Sequence, residues 1–189
     1  MTYDIILADP PWDYAGQKQH SGKNSGDTGG AIVHYPTMKL PELMKMDVKS
    51  ISAPNSLLFM WTTGPQLFKC IDIMKAWGFS YKTVAFVWDK GKVNPGSYTM
   101  SQTEFVLVAK RGSIPKPRGL RNVRQLLEAS EKILVPRTAH SEKPEEVQDR
   151  IDLMFPTQRK LEMFARRERS GWDLYGNEVP NSIIIPTKS

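Results

Sequence analysis

Four consecutive residues, Asp9-Pro10-Pro11-Trp12, place a carboxylate, two imino acids and an indole directly after the short apolar run Tyr3 to Ala8. Each proline fixes a backbone torsion and removes an N–H donor, so the carbonyls here can only accept hydrogen bonds. Asp9 adds a carboxylate acceptor and Trp12 a broad aromatic plane. Acceptors converging beside a stacking surface suit a planar ring bearing an NH2 group, which adenine presents at its 6-position and cytosine at its 4-position. The lone pair of such an amine is delocalised into the ring, and the nitrogen is a poor nucleophile. Hydrogen bonds from its two N–H groups to Asp9 and the Pro10 carbonyl would draw the nitrogen out of the ring plane and localise the pair. They would also stabilise the positive charge that develops as the nitrogen is alkylated. Stacking would add about 1–3 kcal/mol per base, and a base in a duplex would have to be flipped out to reach the corner. A Pro-Pro pair after a strand is also a common rigid turn, and a following Trp a common core residue, so the motif needs support from the rest of the chain.

The elements that must hold this corner are legible in outline. Tyr3 to Ala8 reads as a buried strand of a parallel sheet, stopped by the prolines. Asp13 to Pro36 is polar and glycine-rich, a long loop of the functional or mobile kind. Leu57 to Thr62 reads as a second strand, after which Pro65 opens a helix with Leu67, Ile71, Met74 and Trp77 on one face, ended by Gly78. Tyr81 to Trp88 is a third strand, followed by a loop through Gly91, Pro95 and Gly96, and Thr103 to Ala109 is a fourth. Ile133 to Val135 is a short fifth. Pro144 starts a helix with Glu145 and Glu146 in its first turn and Val147, Ile151 and Met154 facing inward. Lys160 to Phe164 is a sixth strand and Ser182 to Ile185 a seventh. This alternation predicts an α/β fold, one sheet covered by helices on both faces. Ligands of such folds lie at the carboxyl ends of the strands, where Asp9 and Arg166 both fall.

The 189 residues fit one domain, residues 1–189, with long loops at 13–36 and 112–130. The net charge of +6 suits a polyanionic partner. Between Lys110 and Arg124 lie six basic residues and no acid, among them Arg118, Arg121 and Arg124, the candidates for phosphate contact. Cys70, the one cysteine, falls in an apolar helical pattern and reads as a reduced core thiol. His20, His34 and His140 show no metal-ligand spacing with it, and no metal is expected. No apolar run is long enough to span a membrane, and Met1-Thr2-Tyr3-Asp4 does not begin a signal peptide, so a cytoplasmic location is expected.

Seven blocks in order carry a resemblance to a known family: Asp9-Pro10-Pro11-Trp12; Tyr35-Pro36-Thr37-Met38; Leu58-Phe59-Met60-Trp61-Thr62; Trp77-Gly78-Phe79 with Trp88; Glu104 with Leu107-Val108-Ala109-Lys110-Arg111-Gly112; His140-Ser141-Glu142-Lys143-Pro144; and Lys160-Leu161-Glu162-Met163-Phe164-Ala165-Arg166 with Gly171-Trp172 and Gly176-Asn177-Glu178. The chain resembles the MT-A70-like adenine-N6 methyltransferases. The resemblance implies a permuted, Rossmann-like methyltransferase fold with a mostly parallel central sheet, the catalytic strand first and the strand that opens the cofactor site near the end. It implies S-adenosyl-L-methionine as cofactor and direct in-line methyl transfer. Asp9, Pro10, Pro11 and Trp12 would hold the amine and base, with Tyr35 bordering the base. His140, Lys143, Phe164, Arg166, Asn177 and Glu178 would surround the cofactor, together with Asp9. Trp61 and Trp88 read as sheet packing. Glu104, an acid inside an apolar strand, should have a partner, either the pocket it braces or a nearby Arg. The expected substrate is DNA. RNA or cytosine N4 would use the same amine chemistry, and a silent nucleic-acid-binding partner is disfavoured by the intact motif. Oligomeric state, including a homodimer, is left open by the sequence.

Overall fold

The computed structural model describes residues 1–12, 37–96, 98–128 and 143–188. Strand β1, Tyr3–Ala8, lies inside a sheet that has seven strands among the described residues, where a continuous apolar run rather than an alternating one is required. Ile6 and Ala8 point into one core cluster and Ile5 and Leu7 into the other, each of the larger side chains worth about 1.5–3 kcal/mol when buried. Tyr3 shares the face of Ile6 because the register against the next strand shifts between Tyr3 and Ile5.

The remaining strands are β2 (Ser52–Thr62), β3 (Ser80–Asn94), β4 (Ser101–Arg111), β5 (Leu126–Leu127), β6 (Lys160–Met163) and β7 (Trp172–Tyr175), in the spatial order β5-β3-β4-β2-β1-β6-β7. Only β4 runs against the others, so the sheet is mostly parallel and Rossmann-like, as expected. β1 has β2 on one side and β6 on the other, with Ala8 opposite both Met60 and Met163. The strand near the end of the chain thus lies beside the one that begins it, which is the permuted order.

Helices cover both faces. Helix α1, Leu40–Lys45, and helix α2, Leu67–Ala76, pack on the first cluster through Leu43, Cys70, Ile73 and Met74. Trp77 closes α2, and its buried indole N–H donates to the Leu43 carbonyl at 2.7 Å. Helix α3, Glu146–Met154, covers the other face through Val147 and Ile151. The inward face of α2 is centred on Cys70 and Ile73, with the expected Leu67 and Ile71 only half-buried at its margin. Burial pushes the Cys70 thiol up to about 12, as befits a free core cysteine. Among the described residues no helix is long and apolar enough to cross a membrane.

Several boundaries differ from the sequence reading. The seventh strand is Trp172–Tyr175, not Ser182 to Ile185. The latter makes one backbone bond, Ser182 N–H to the Leu174 carbonyl at 2.8 Å, and no ladder. β3 runs on to Asn94, through what reads as a loop. Residues 112–128 are no free loop: Gly119 and Leu120 donate to the Met154 and Leu153 carbonyls at the end of α3, and the unexpected β5 pairs with β3. The 13–36 loop and the strand expected at Ile133 to Val135 lie outside the described residues.

Candidate active site

Asp9 is the first residue past β1, and its backbone N–H donates to the Met163 carbonyl at 3.3 Å, fastening the corner to the end of β6. The following turn is closed by its own backbone. Trp12 N–H donates to the Pro10 carbonyl at 2.8 Å, and Met38 N–H donates to the Pro11 carbonyl at 2.9 Å. A carbonyl oxygen has two lone pairs, so the Pro10 and Pro11 oxygens each keep one. Trp12 is 6% exposed and packs in the first core cluster. The indole is therefore not the open platform its place in the motif suggests; it anchors the turn.

Lys143, just before α3, reaches into this corner. Its Nζ lies 3.2 Å from Asp9 Oδ2 and 3.4 Å from Glu104 Oε2, and 5.5 Å from the centre of the Trp61 ring. Glu104 comes from β4, where it pairs across with Trp88, and its other oxygen meets Lys90 Nζ at 3.4 Å. Of the two roles expected for Glu104, bracing the pocket or pairing with an Arg, the pairing falls to two lysines, one of which also holds Asp9. These four side chains are each less than a quarter exposed, so their attraction is screened far less than that of surface pairs. Trp61 and Trp88 are buried and meet edge to face at 6.0 Å, sheet packing that also floors Lys143. Arg167 fixes Lys143 from behind by donating to its carbonyl at 3.0 Å, and is itself 3.1 Å from Glu145.

The second half of the site follows β6 and β7. Phe164 has φ 64, a left-handed conformation that a bulky aromatic adopts only under constraint, and such strain gathers at functional positions. Its ring meets Tyr175 edge to face at 6.3 Å. Gly176 lets the two strand ends converge, because a Cβ there would sit 2.2 Å from the Ala165 carbonyl oxygen. Arg166 Nε lies 3.8 Å from Glu178 Oε1, and Asn177 beside them is exposed.

Glu162, on β6, escaped the sequence reading as a site residue. It accepts from Gln148 Nε2 at 3.2 Å, and burial pushes its carboxyl above the usual range; Gln148 and Arg167 oppose this, while the Asp9 charge adds to it. An acid whose folded value is raised keeps its proton where the unfolded chain has released it, so stability falls as pH rises through that interval. Glu162→Gln should therefore gain on the parent protein in urea midpoint as pH rises above the ordinary glutamate range, about 4. A gain that does not change with pH would contradict this placement. The only signal in the sequence was an acid flanked by Leu161 and Met163 in a short strand.

Not all candidates converge. Tyr35 and His140 lie outside the described residues. The basic stretch is not brought to Asp9. Arg111 pairs with Ser56 at the foot of the sheet, and Phe105 with Thr62 at the rim, six residues or roughly 20 Å apart. Arg118 lies over the Phe155 ring at 5.1 Å, beyond the foot end of α3. Arg121 is exposed near it, and Arg124 precedes the edge strand β5, its carbonyl accepting from Arg150. A net-charge count along the chain cannot tell foot from rim.

The family described as MT-A70 matches residues 3–178. The chain is 53% identical over 197 residues to the type II methyltransferase M.MunI of Mycoplasma sp, covering 98% of this chain and 82% of that protein. It is 27% identical to the N(6)-adenine-specific methyltransferase METTL4 of Homo sapiens and 25% identical to an N(6)-adenosine-methyltransferase MT-A70-like protein of Arabidopsis thaliana. Those alignments cover 94% and 97% of this chain but only 38% and 25% of the longer relatives.

Proposed function

The chain belongs to the MT-A70 family, and from that premise we propose that it transfers the methyl group of S-adenosyl-L-methionine to the N6 amine of adenine in DNA. The observation that carries the reading is Lys143 held between Asp9, at the carboxyl end of β1, and Glu104, near the amino end of the antiparallel β4, beside the strained end of β6. DNA rather than RNA is favoured by the relative named a type II methyltransferase, which matches nearly end to end. Adenine N6 is favoured by the relative named for that atom.

The residues at the strand ends fit the cofactor by their chemistry. Lys143 and Arg166 offer cations for its carboxylate or ribose, Glu178 and Asn177 offer acceptors for ribose hydroxyls, and Phe164 offers a ring. At the exit of β2, Thr63 Oγ1 and Gln66 Oε1 are buried with no hydrogen-bond partner among the described residues, two more polar atoms at the same rim. When bound, S-adenosyl-L-methionine supplies a methyl group on a positively charged sulfur, open to attack by nitrogen. The protein's part is to make the amine attack. With Asp9 Oδ2 engaged by Lys143, Oδ1 is the oxygen left to accept one amine N–H, and the remaining lone pair of the Pro10 carbonyl accepts the other. Both bonds strengthen as positive charge grows on the nitrogen. The proton the amine loses passes to Asp9, 22% of whose side chain is open to water. Trp12 keeps the corner rigid from within the core, and the base rests on groups other than its buried face.

The test is to supply the purified protein with methyl-labelled cofactor and a mixture of DNA and RNA, then to separate the nucleosides. Label is expected in N6-methyldeoxyadenosine. Label in N4-methyldeoxycytidine, or in ribonucleosides alone, would overturn the assignment.

A further inference from the structure

The β3–β4 hairpin continues past the rest of the sheet. Trp88 faces Glu104 at the level of the site, yet β3 runs on to Asn94, whose partner is Ser101. Among the described residues no third strand follows them: β5 ends its pairing at Trp88 with Leu127, and β2 at Thr62 with Phe105. The outcome is a two-stranded arm rising beside Glu104, at most roughly 20 Å long at the usual rise per residue. Its root is built. Asp89 Oδ1 accepts from Gly91 N–H and from Gln102 Nε2, both at 2.8 Å, and Gly91 has φ 62. The register shifts between Asp89 and Asn94, a bulge of the kind that re-aims a strand. Lys90 ties the root to Glu104, the same carboxylate that holds Lys143.

At its end the arm carries large apolar side chains in water: Tyr98 is 99% exposed, Met100 56% and Val93 47%. From Lys90 to Thr103 there are two lysines and no acid. We propose that this arm enters a groove of duplex DNA beside the target base, and that Tyr98 and Met100 fill the stack from which the adenine has been turned out. The proposal rests on the function proposed above. Three features favour a nucleic-acid occupant over a second protein surface. Beyond its Asp89–Glu104 root the arm has no acid and carries Lys92, a charge suited to a polyanion. A two-stranded ribbon has the width a major groove admits. Its apolar side chains stand singly among Lys92, Asn94, Thr99, Ser101 and Gln102 instead of forming the broad patch a protein interface needs. Turning a base out costs a few kcal/mol of lost stacking and pairing, and apolar wedges inserted at the vacated step recover part of it.

Two duplexes separate this role from a structural one, identical except that one has thymine and the other an abasic site opposite the target adenine. For Tyr98→Ala combined with Met100→Ala, kcat/KM on the paired duplex should fall about five- to a hundredfold, the range expected for one lost stacking partner. On the duplex already opened by the abasic site the loss should stay within about threefold. Tyr98→Phe should keep the parent rate within about twofold, since the ring is retained. Cofactor affinity by calorimetry and mass by light scattering should match the parent protein. Equal losses on both duplexes, no loss, or an altered oligomeric state would overturn the arm's role and leave the methyltransferase reading standing. A parent protein that labels no DNA would overturn both.

Discussion

Asp9→Ala is expected to slow methyl transfer to adenine about a thousandfold, equivalent to about 4 kcal/mol of transition-state stabilisation. The fold should be untouched, because Asp9 holds its place through its backbone N–H to Met163, which alanine retains. What is lost is an acceptor fixed at the point where charge develops. Asp9→Asn separates charge from shape: it keeps one oxygen but turns an NH2 group towards another NH2 group, and should be nearly as slow. Single-turnover rates at saturating cofactor, with circular dichroism as the control for folding, make the measurement. A variant retaining more than about a tenth of the parent rate would remove Asp9 from the reaction.

The second large effect belongs to Lys143. Its ammonium lies between two carboxylates contributed by strands that are not neighbours, β1 and β4. Lys143→Met leaves Asp9 and Glu104 as like charges in a partly desolvated corner, so Asp9 is pushed from its place as well as deprived of its partner. The rate is expected to drop about a hundredfold, with cofactor affinity weakened as well, since the same cation is offered to the cofactor. Lys143→Arg should rescue poorly, because a planar fork does not replace a point charge seated over the Trp61 ring. Adding Glu104→Gln to Lys143→Met removes the repulsion and should restore part of the rate, a coupling that independent sites would not show. Additive losses in that cycle would mean the three side chains do not act as a unit.

The parts of the molecule that the sequence discloses are those fixed by local patterns. β1 is legible because burial on both faces demands an uninterrupted apolar run, and the corner because prolines end it at a defined residue. β7 is hidden: Trp172–Tyr175 is four residues long, with only Trp172 and Leu174 buried, whereas the more apolar Ile183-Ile184-Ile185 draws the eye and leaves Ile184 in solvent. The Asp9–Lys143–Glu104 triangle joins residues separated by most of the chain. Spacing cannot predict it, because it depends on β4 lying one strand away from β1. The arginines of residues 118–124 illustrate the converse, since their charge is plain while their position at the foot and edge of the sheet follows from the antiparallel run of β4. The two-stranded arm was read as a loop for the same reason: Gly91, Pro95 and Gly96 signal a turn, but a bulged strand uses glycine too.

The position of β1 between β2 and β6 has a consequence for how the protein comes into being. The hexapeptide Tyr3–Ala8 is translated more than 150 residues before its second neighbour, Lys160–Met163, and Asp4 and Ile5 must wait for the Arg159 carbonyl. Until then this doubly buried strand lacks one flank, a state in which nascent chains are prone to aggregate. A nascent chain that has not reached Lys160–Met163 cannot carry a closed corner, so methylating capacity awaits that strand.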